Sequence, residues 1–132
     1  MANLSEQIEQ NFQVGDVPTV TVSSSRGNVR VVAGATGQVA ISVQKRVTAI
    51  NETEAQRILE NIIVEVIQNG DQIQIETRPR NRFDFNNWFG NGDAWHIDID
   101  LTVPATTNLR LALNAGNASI RDITGALEAH LN

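Results

Sequence analysis

The chain has 132 residues, 41% hydrophobic and 19% charged, the balance of a globular domain and far from that of a disordered segment. It contains no cysteine, which excludes a disulfide framework, a thiolate metal site and a cysteine nucleophile. A net charge of −5 opposes whole-surface attraction to nucleic acid or anionic lipid, and no apolar run approaches the roughly 18 residues needed to cross a bilayer.

In chain order, Met1 to Gln13 carries Glu6 and Glu9 and lacks a basic stretch followed by an apolar one, so it does not read as an export signal. The chain as it stands is expected in the cytoplasm by default, and outside it if this is a piece of a longer protein. Val20 and Val22, then Val29 and Val31, then Val39, Ile41 and Val43 alternate with polar residues, the period of half-buried strands. Asn51 followed by Glu54 has the form of an N-cap with a capping box, and Ala55, Ile58, Leu59 and Ile62 recur at helical spacing. A short amphipathic helix is predicted over about 52–61.

Asn69-Gly70 between two apolar runs predicts a hairpin with a type I′ turn. With those two residues as the loop, Val66 falls opposite Ile73, Val64 opposite Ile75 and Ile62 opposite Thr77, while Glu65 faces Gln74. Further on, Trp95, Ile97, Ile99, Leu101 and Val103 alternate with His96, Asp98, Asp100 and Thr102 until Pro104, which removes a ladder donor. Leu109, Leu111 and Leu113 repeat the period. The last stretch, Ala126 to Leu131, alternates like a strand and stops without a cap, leaving an edge that asks for a cover. A second copy of the chain is the expected cover, through residues near 120–131 and the aromatic segment described below; Ile8 to Val14 returning to pair there, or downstream sequence, are the other candidates.

Two stretches are alike. Thr19 to Val22, Gly27, Val29 to Val31, Gly37 and Val39 are matched by Leu109 to Leu113, Gly116, Ala118 to Ile120, Gly125 and Leu127, with glycines ten residues apart in the first and nine in the second. A strand-turn unit of about ten residues suits a stacked coil or a sandwich. The glycine-punctuated strands Gly27-Asn28-Val29-Arg30-Val31 and Ala115-Gly116-Asn117-Ala118-Ser119-Ile120, the run Leu101-Thr102-Val103-Pro104 before Asn108-Leu109-Arg110-Leu111, and Ile123-Thr124-Gly125 carry a resemblance. Over roughly positions 10 to 132 the chain resembles a bacterial family of β-strand-repeat domains of unknown function that bear the label of candidate adhesins. The resemblance implies a solenoid or sandwich scaffold with no catalytic constellation, in a family of which many members are extracytoplasmic.

Candidate chemistry is sparse. His96, Asp98 and Asp100 share one side of a strand and could face a metal, but the alternation with Trp95, Ile97 and Ile99 already accounts for them as a solvent face. With only His96 and His130, and no Gly-x-Ser-x-Gly elbow, phosphate-cradling loop or calcium-loop pattern, nothing marks a catalytic, cofactor or metal site. The segment 79–94 departs from the strand pattern. Phe83, Phe85, Trp88 and Phe89 lie there among Asn and Gly, with Trp95 at its edge. Ordering such a loop costs backbone entropy that apolar burial against the domain, a second copy or a ligand must offset. Arg78, Arg80 and Arg82 precede the aromatics at period two, a pattern shared by single-strand nucleic-acid platforms and by charged edge strands, with Asp84, Asp93 and the net acidity against the former.

The sequence thus predicts one all-β domain over residues 1–132, with one short α-helix, a β-hairpin and glycine-punctuated strands stacked as a solenoid or a sandwich. It is expected to be a non-catalytic binding or assembly module without a cofactor, a homo-oligomer that also meets an unknown protein or surface ligand. Phe83, Phe85, Trp88, Phe89, Arg80 and Arg82 are the candidate partner-binding residues. The alternative is a carbohydrate- or single-stranded-nucleic-acid-binding domain that uses the same aromatic loop, nucleic acid being disfavoured by the charge.

Overall fold

The computed structural model describes residues 2–24, 27–79, 94–114 and 116–131. Most of these residues form strands: β1 (Ala2–Gln13), β2 (Thr19–Ser24), β3 (Val29–Gly34), β4 (Gln38–Ala49), β5 (Ile62–Asn69), β6 (Gln72–Pro79), β7 (Ala94–Pro104), β8 (Asn108–Leu113), β9 (Ala118–Arg121) and β10 (Leu127–Leu131). One helix, α1 (Glu52–Asn61), separates β4 from β5. The strands make two mixed five-stranded sheets, ordered β1-β4-β7-β3-β9 and β10-β8-β2-β6-β5.

The stacking follows a simple rule in space and a permuted one along the chain. β6 and β7, β2 and β3, and β8 and β9 are consecutive pairs that cross from the second sheet to the first. Within each sheet their strands run parallel to those of the neighbouring pair. The β2-β3 pair, early in the chain, lies between the two later ones, so the tiers do not follow chain order. β10 adds a further parallel strand on β8. At the opposite end the pairing turns antiparallel: β4 on β7, β1 on β4, and β5 on β6.

Alternation decides which side chains meet. Val20 and Val22 of β2, Ile73 and Ile75 of β6, and Leu109, Leu111 and Leu113 of β8 point inward from one sheet; Val29 and Val31, then Val39, Ile41, Val43 and Val47, and Trp95 to Val103 at every second position point inward from the other. All belong to one hydrophobic cluster. Burying a Val, Leu or Ile side chain is worth about 1.5–3 kcal/mol, which makes this cluster the principal source of cohesion. Two buried hydroxyls meet beside it, Thr77 Oγ1 donating to Ser24 Oγ at 3.0 Å.

α1 forms where the capping pattern placed it. Asn51 is extended and its side-chain oxygen accepts from the Glu54 N–H at 2.8 Å, while Ala55, Ile58 and Leu59 turn toward the core. The helix packs on β1, β4 and β5 and so covers the core at the antiparallel end. The hairpin β5-β6 is present, but its register differs from the predicted one. Asn69 pairs with Gln72, so the loop is Gly70-Asp71, and Val66 faces Ile75 while Val64 faces Thr77. Gly70 alone of the loop has positive φ, +61°, which is the type II′ arrangement with glycine first and not the I′ turn expected from Asn69-Gly70. The slip is two residues, an even number, so each side chain keeps its face. Asp71 is held in the loop by accepting from Gly15 N–H at 2.8 Å through its carboxylate and from Thr19 N–H at 2.9 Å through its carbonyl.

The internal likeness is partly structural. Gly27 and Gly116 precede β3 and β9, which pair with each other, and both have positive φ, +134° and +149°. A Cβ on Gly116 would overlap the Gly27 carbonyl, and one on Gly27 would overlap the Ile97 carbonyl, so the segments leading into β3 and β9 and the backbone of β7 touch through glycine. Beyond this the two stretches diverge: β4 reverses to run antiparallel within the first sheet, whereas β10 crosses to the second and runs parallel.

Candidate functional site

The predicted partner-binding residues Arg80, Arg82, Phe83, Phe85, Trp88 and Phe89 lie outside the described residues. Their flanks are placed. Arg78 closes β6 with an ion pair to Glu65 across the hairpin, 3.1 Å, and Trp95 is 5% exposed in the core.

The polar side of the first sheet carries His96, Asp98 and Asp100, as the alternation requires. The Asp98 carboxylate is taken on one oxygen by the Arg46 guanidinium and approached on the other by His96 Nε2 at 2.9 Å. Arg30 Nε lies 4.0 Å from Asp100. Asn28 and Gln44 join these arginines and aspartates around a shallow groove. Guanidinium groups therefore occupy the side of the carboxylates where a cation would sit, and charge is neutralised within the face. Among the described residues no group of three His, Asp or Glu side chains converges on a point.

Lys45 is a residue that the sequence reading passed over. It falls on the inward series Val39, Ile41, Val43, Lys45, Val47, and only 8% of its side chain is exposed. Its Nζ donates to the Ile62 carbonyl at 3.0 Å, where α1 passes into β5, and lies 3.7 Å from Glu6, its register partner on β1. The signal was available in the alternation, which puts a lysine where a valine would be expected. Its contacts tie strand, helix end and edge strand together.

The open end of the stack is different in kind. β9 and β10 are the last strands of the two sheets on the same side, and among the described residues no strand lies beyond either. Burial falls away over one strand spacing: Leu109 is 1% exposed, while Leu127, its partner on β10, is 53% exposed. Ile120 and Ile123 are only partly buried at this rim. The N-terminal segment does not cover it, contrary to one expectation, because Ile8 to Gln13 are part of β1 on the far edge of the first sheet. Glu128 on β10 lies 3.7 Å from Arg110 of β8 and 3.2 Å from His130, all on the outer side of the sheet.

The chain was compared with known proteins. No family model matches, and no curated protein matches. Among solved structures, a candidate cell adhesion protein from Clostridium sporogenes aligns at 10% identity with a TM-score of 0.49, covering 96% of this chain and 57% of that one. A candidate adhesin from Bacteroides fragilis aligns at 11% identity and TM-score 0.37, again over 96% and 57%. A candidate lipid-binding protein from Parabacteroides distasonis aligns at 10% identity and TM-score 0.34, over 96% and 60%. The chain thus spans less than two thirds of each of these proteins.

Proposed function

We propose that this chain is a non-catalytic binding and assembly module whose working surface is the open end formed by β9 and β10. The observation that carries the reading is the asymmetry of the two ends. Both ends finish in edge strands, but at one end the edges β1 and β5 pair antiparallel with their neighbours and α1 packs there over the core, whereas at the other the edges β9 and β10 are parallel strands with no strand or helix packed beyond them among the described residues. Parallel strands are ordinarily found covered, and an uncovered edge with a partly apolar rim is a template for another strand. An edge strand accepts a further strand without rearrangement of the sheet, and the two sheets already hold both parallel and antiparallel neighbours. The side-chain chemistry elsewhere supports a scaffold: the charged groups on the first sheet's outer face pair with one another, and Lys45 is engaged by a backbone carbonyl and Glu6.

Assembly of this kind is concentration-dependent. Sedimentation velocity on the full chain from low to high micromolar should show a mass that rises above the monomer as the open ends meet. A monomer mass across the whole range would refute self-assembly.

A further inference from the structure

The bond from the Leu109 N–H to the Ala126 carbonyl, 2.9 Å, sets the phase of the β8-β10 ladder. In a parallel ladder the backbone groups of successive residues point alternately to the two sides. Ala126, Glu128 and His130 therefore direct their N–H and C=O groups to β8, and Leu127, Ala129 and Leu131 direct theirs to the free edge. An incoming strand must bond to the odd-numbered residues.

The strand itself, Leu127-Glu128-Ala129-His130-Leu131, reads acid and base symmetrically about Ala129. We propose that the partner of this edge is β10 of a second copy, paired antiparallel about a two-fold axis through Ala129; this rests on the assembly reading above and specifies it. In that register Ala129 meets Ala129 and Leu127 meets Leu131 as hydrogen-bonded pairs, which uses the outward-facing backbone groups. Glu128 then stands opposite His130 in the non-hydrogen-bonded pairs, where side chains approach most closely. Sliding by two residues either way keeps the backbone bonds but sets Glu128 against Glu128 or His130 against His130. Charge complementarity thus selects one register. Glu128 and His130 lie on the outer side with Arg110, so each copy brings an Arg110-Glu128 contact to the seam. Leu127, half exposed in the single chain, lies on the opposite side and is covered there by the added strand. A two-fold pairing closes on itself, so the product is a dimer and not a fibre.

The chain has no cysteine, which allows a direct test by introduced thiols. Chains carrying Glu128→Cys and chains carrying His130→Cys are oxidised mildly, each alone and then mixed. In the proposed register the thiol that replaces Glu128 in one copy faces the thiol that replaces His130 in the other, at roughly 4.5 Å between Cα atoms. That separation is inside the range a disulfide spans, and the second Glu128-His130 pair of the same dimer stays intact. In either variant alone like positions are diagonal, roughly 7–8 Å apart, and beyond reach. The expected result is a covalent dimer from the mixture and little from either variant alone. Sedimentation of the unmodified chain is run beside it. Self-association without the mixed cross-link overturns this pairing and leaves assembly through another surface; absence of self-association together with absence of the cross-link overturns both. A charge reversal, Glu128→Arg, should weaken the dimer about ten-fold, and unchanged dimerisation would likewise count against the register.

Discussion

The positive-φ glycines among the described residues differ in what surrounds them. Gly70 has φ +61° in open space, whereas Gly27 combines φ +134° with direct contact to the Ile97 carbonyl. Gly70→Asn should cost under about 1 kcal/mol, because asparagine tolerates the left-handed region. Gly27→Asn should cost at least about 2 kcal/mol, since strain and backbone overlap add, and thermal unfolding of the two variants measures the difference. Lys45→Ala should cost about 1–3 kcal/mol by removing the donor to the Ile62 carbonyl in a buried position. If its denaturation midpoint matches the wild type, the lysine holds nothing. Of the two tryptophans, Trp95 is buried, and in a Trp88→Phe variant its emission should be blue-shifted and resistant to quenchers.

At the scale of elements, what could be read from the sequence was what local chemistry determines. The Asn51 cap and the spacing of Ala55, Ile58 and Leu59 define α1 without reference to the rest of the chain. Leu59→Ala should cost about 2–5 kcal/mol, and a small change in the midpoint would show that the side chain does not bear on the core. Strand β7 was equally legible because five alternate positions are apolar and buried. β1 was not, and the reason is specific. Its inward positions read Ala2, Leu4, Glu6, Ile8, Gln10, Phe12, and the charge that interrupts the alternation is the register partner of Lys45 on β4, far along the chain. The hairpin register slipped by two because Asn69-Gly70 and Gly70-Asp71 are both plausible loops, and the choice rests on contacts of Asp71 with Gly15 and Thr19 far from the turn. The phase of β10 also separates two proline substitutions. Pro at Glu128 removes an internal ladder donor to β8 and should loosen β10 in the monomer. Ala129→Pro removes only an outward donor and should leave monomer melting nearly unchanged while abolishing association. Equal monomer melting curves for the two variants would contradict the ladder phase.

For the molecule as a whole, the order of the tiers had no local signal. Parallel partners are joined by long crossings, and nothing in the β2-β3 sequence announces that it will lie between β6-β7 and β8-β9. The glycine repeat did point to neighbours, since Gly27 and Gly116 touch, but it could not say that β4 would turn back while β10 continued the stack. The candidate site followed the same division: a strand over 127–131 was legible from its alternation, whereas the aromatic segment expected to share the interface lies outside the described residues. The central proposal is that the outer edge of β10, beyond which no strand lies among the described residues, is occupied in the assembly. Amide hydrogen exchange, followed residue by residue in dilute and in concentrated solution, addresses it most directly. Glu128 and His130 should exchange slowly in both, and Ala129 should be fast when dilute and slow when concentrated. An Ala129 amide that is slow in the dilute monomer, or fast at every concentration, would contradict the account.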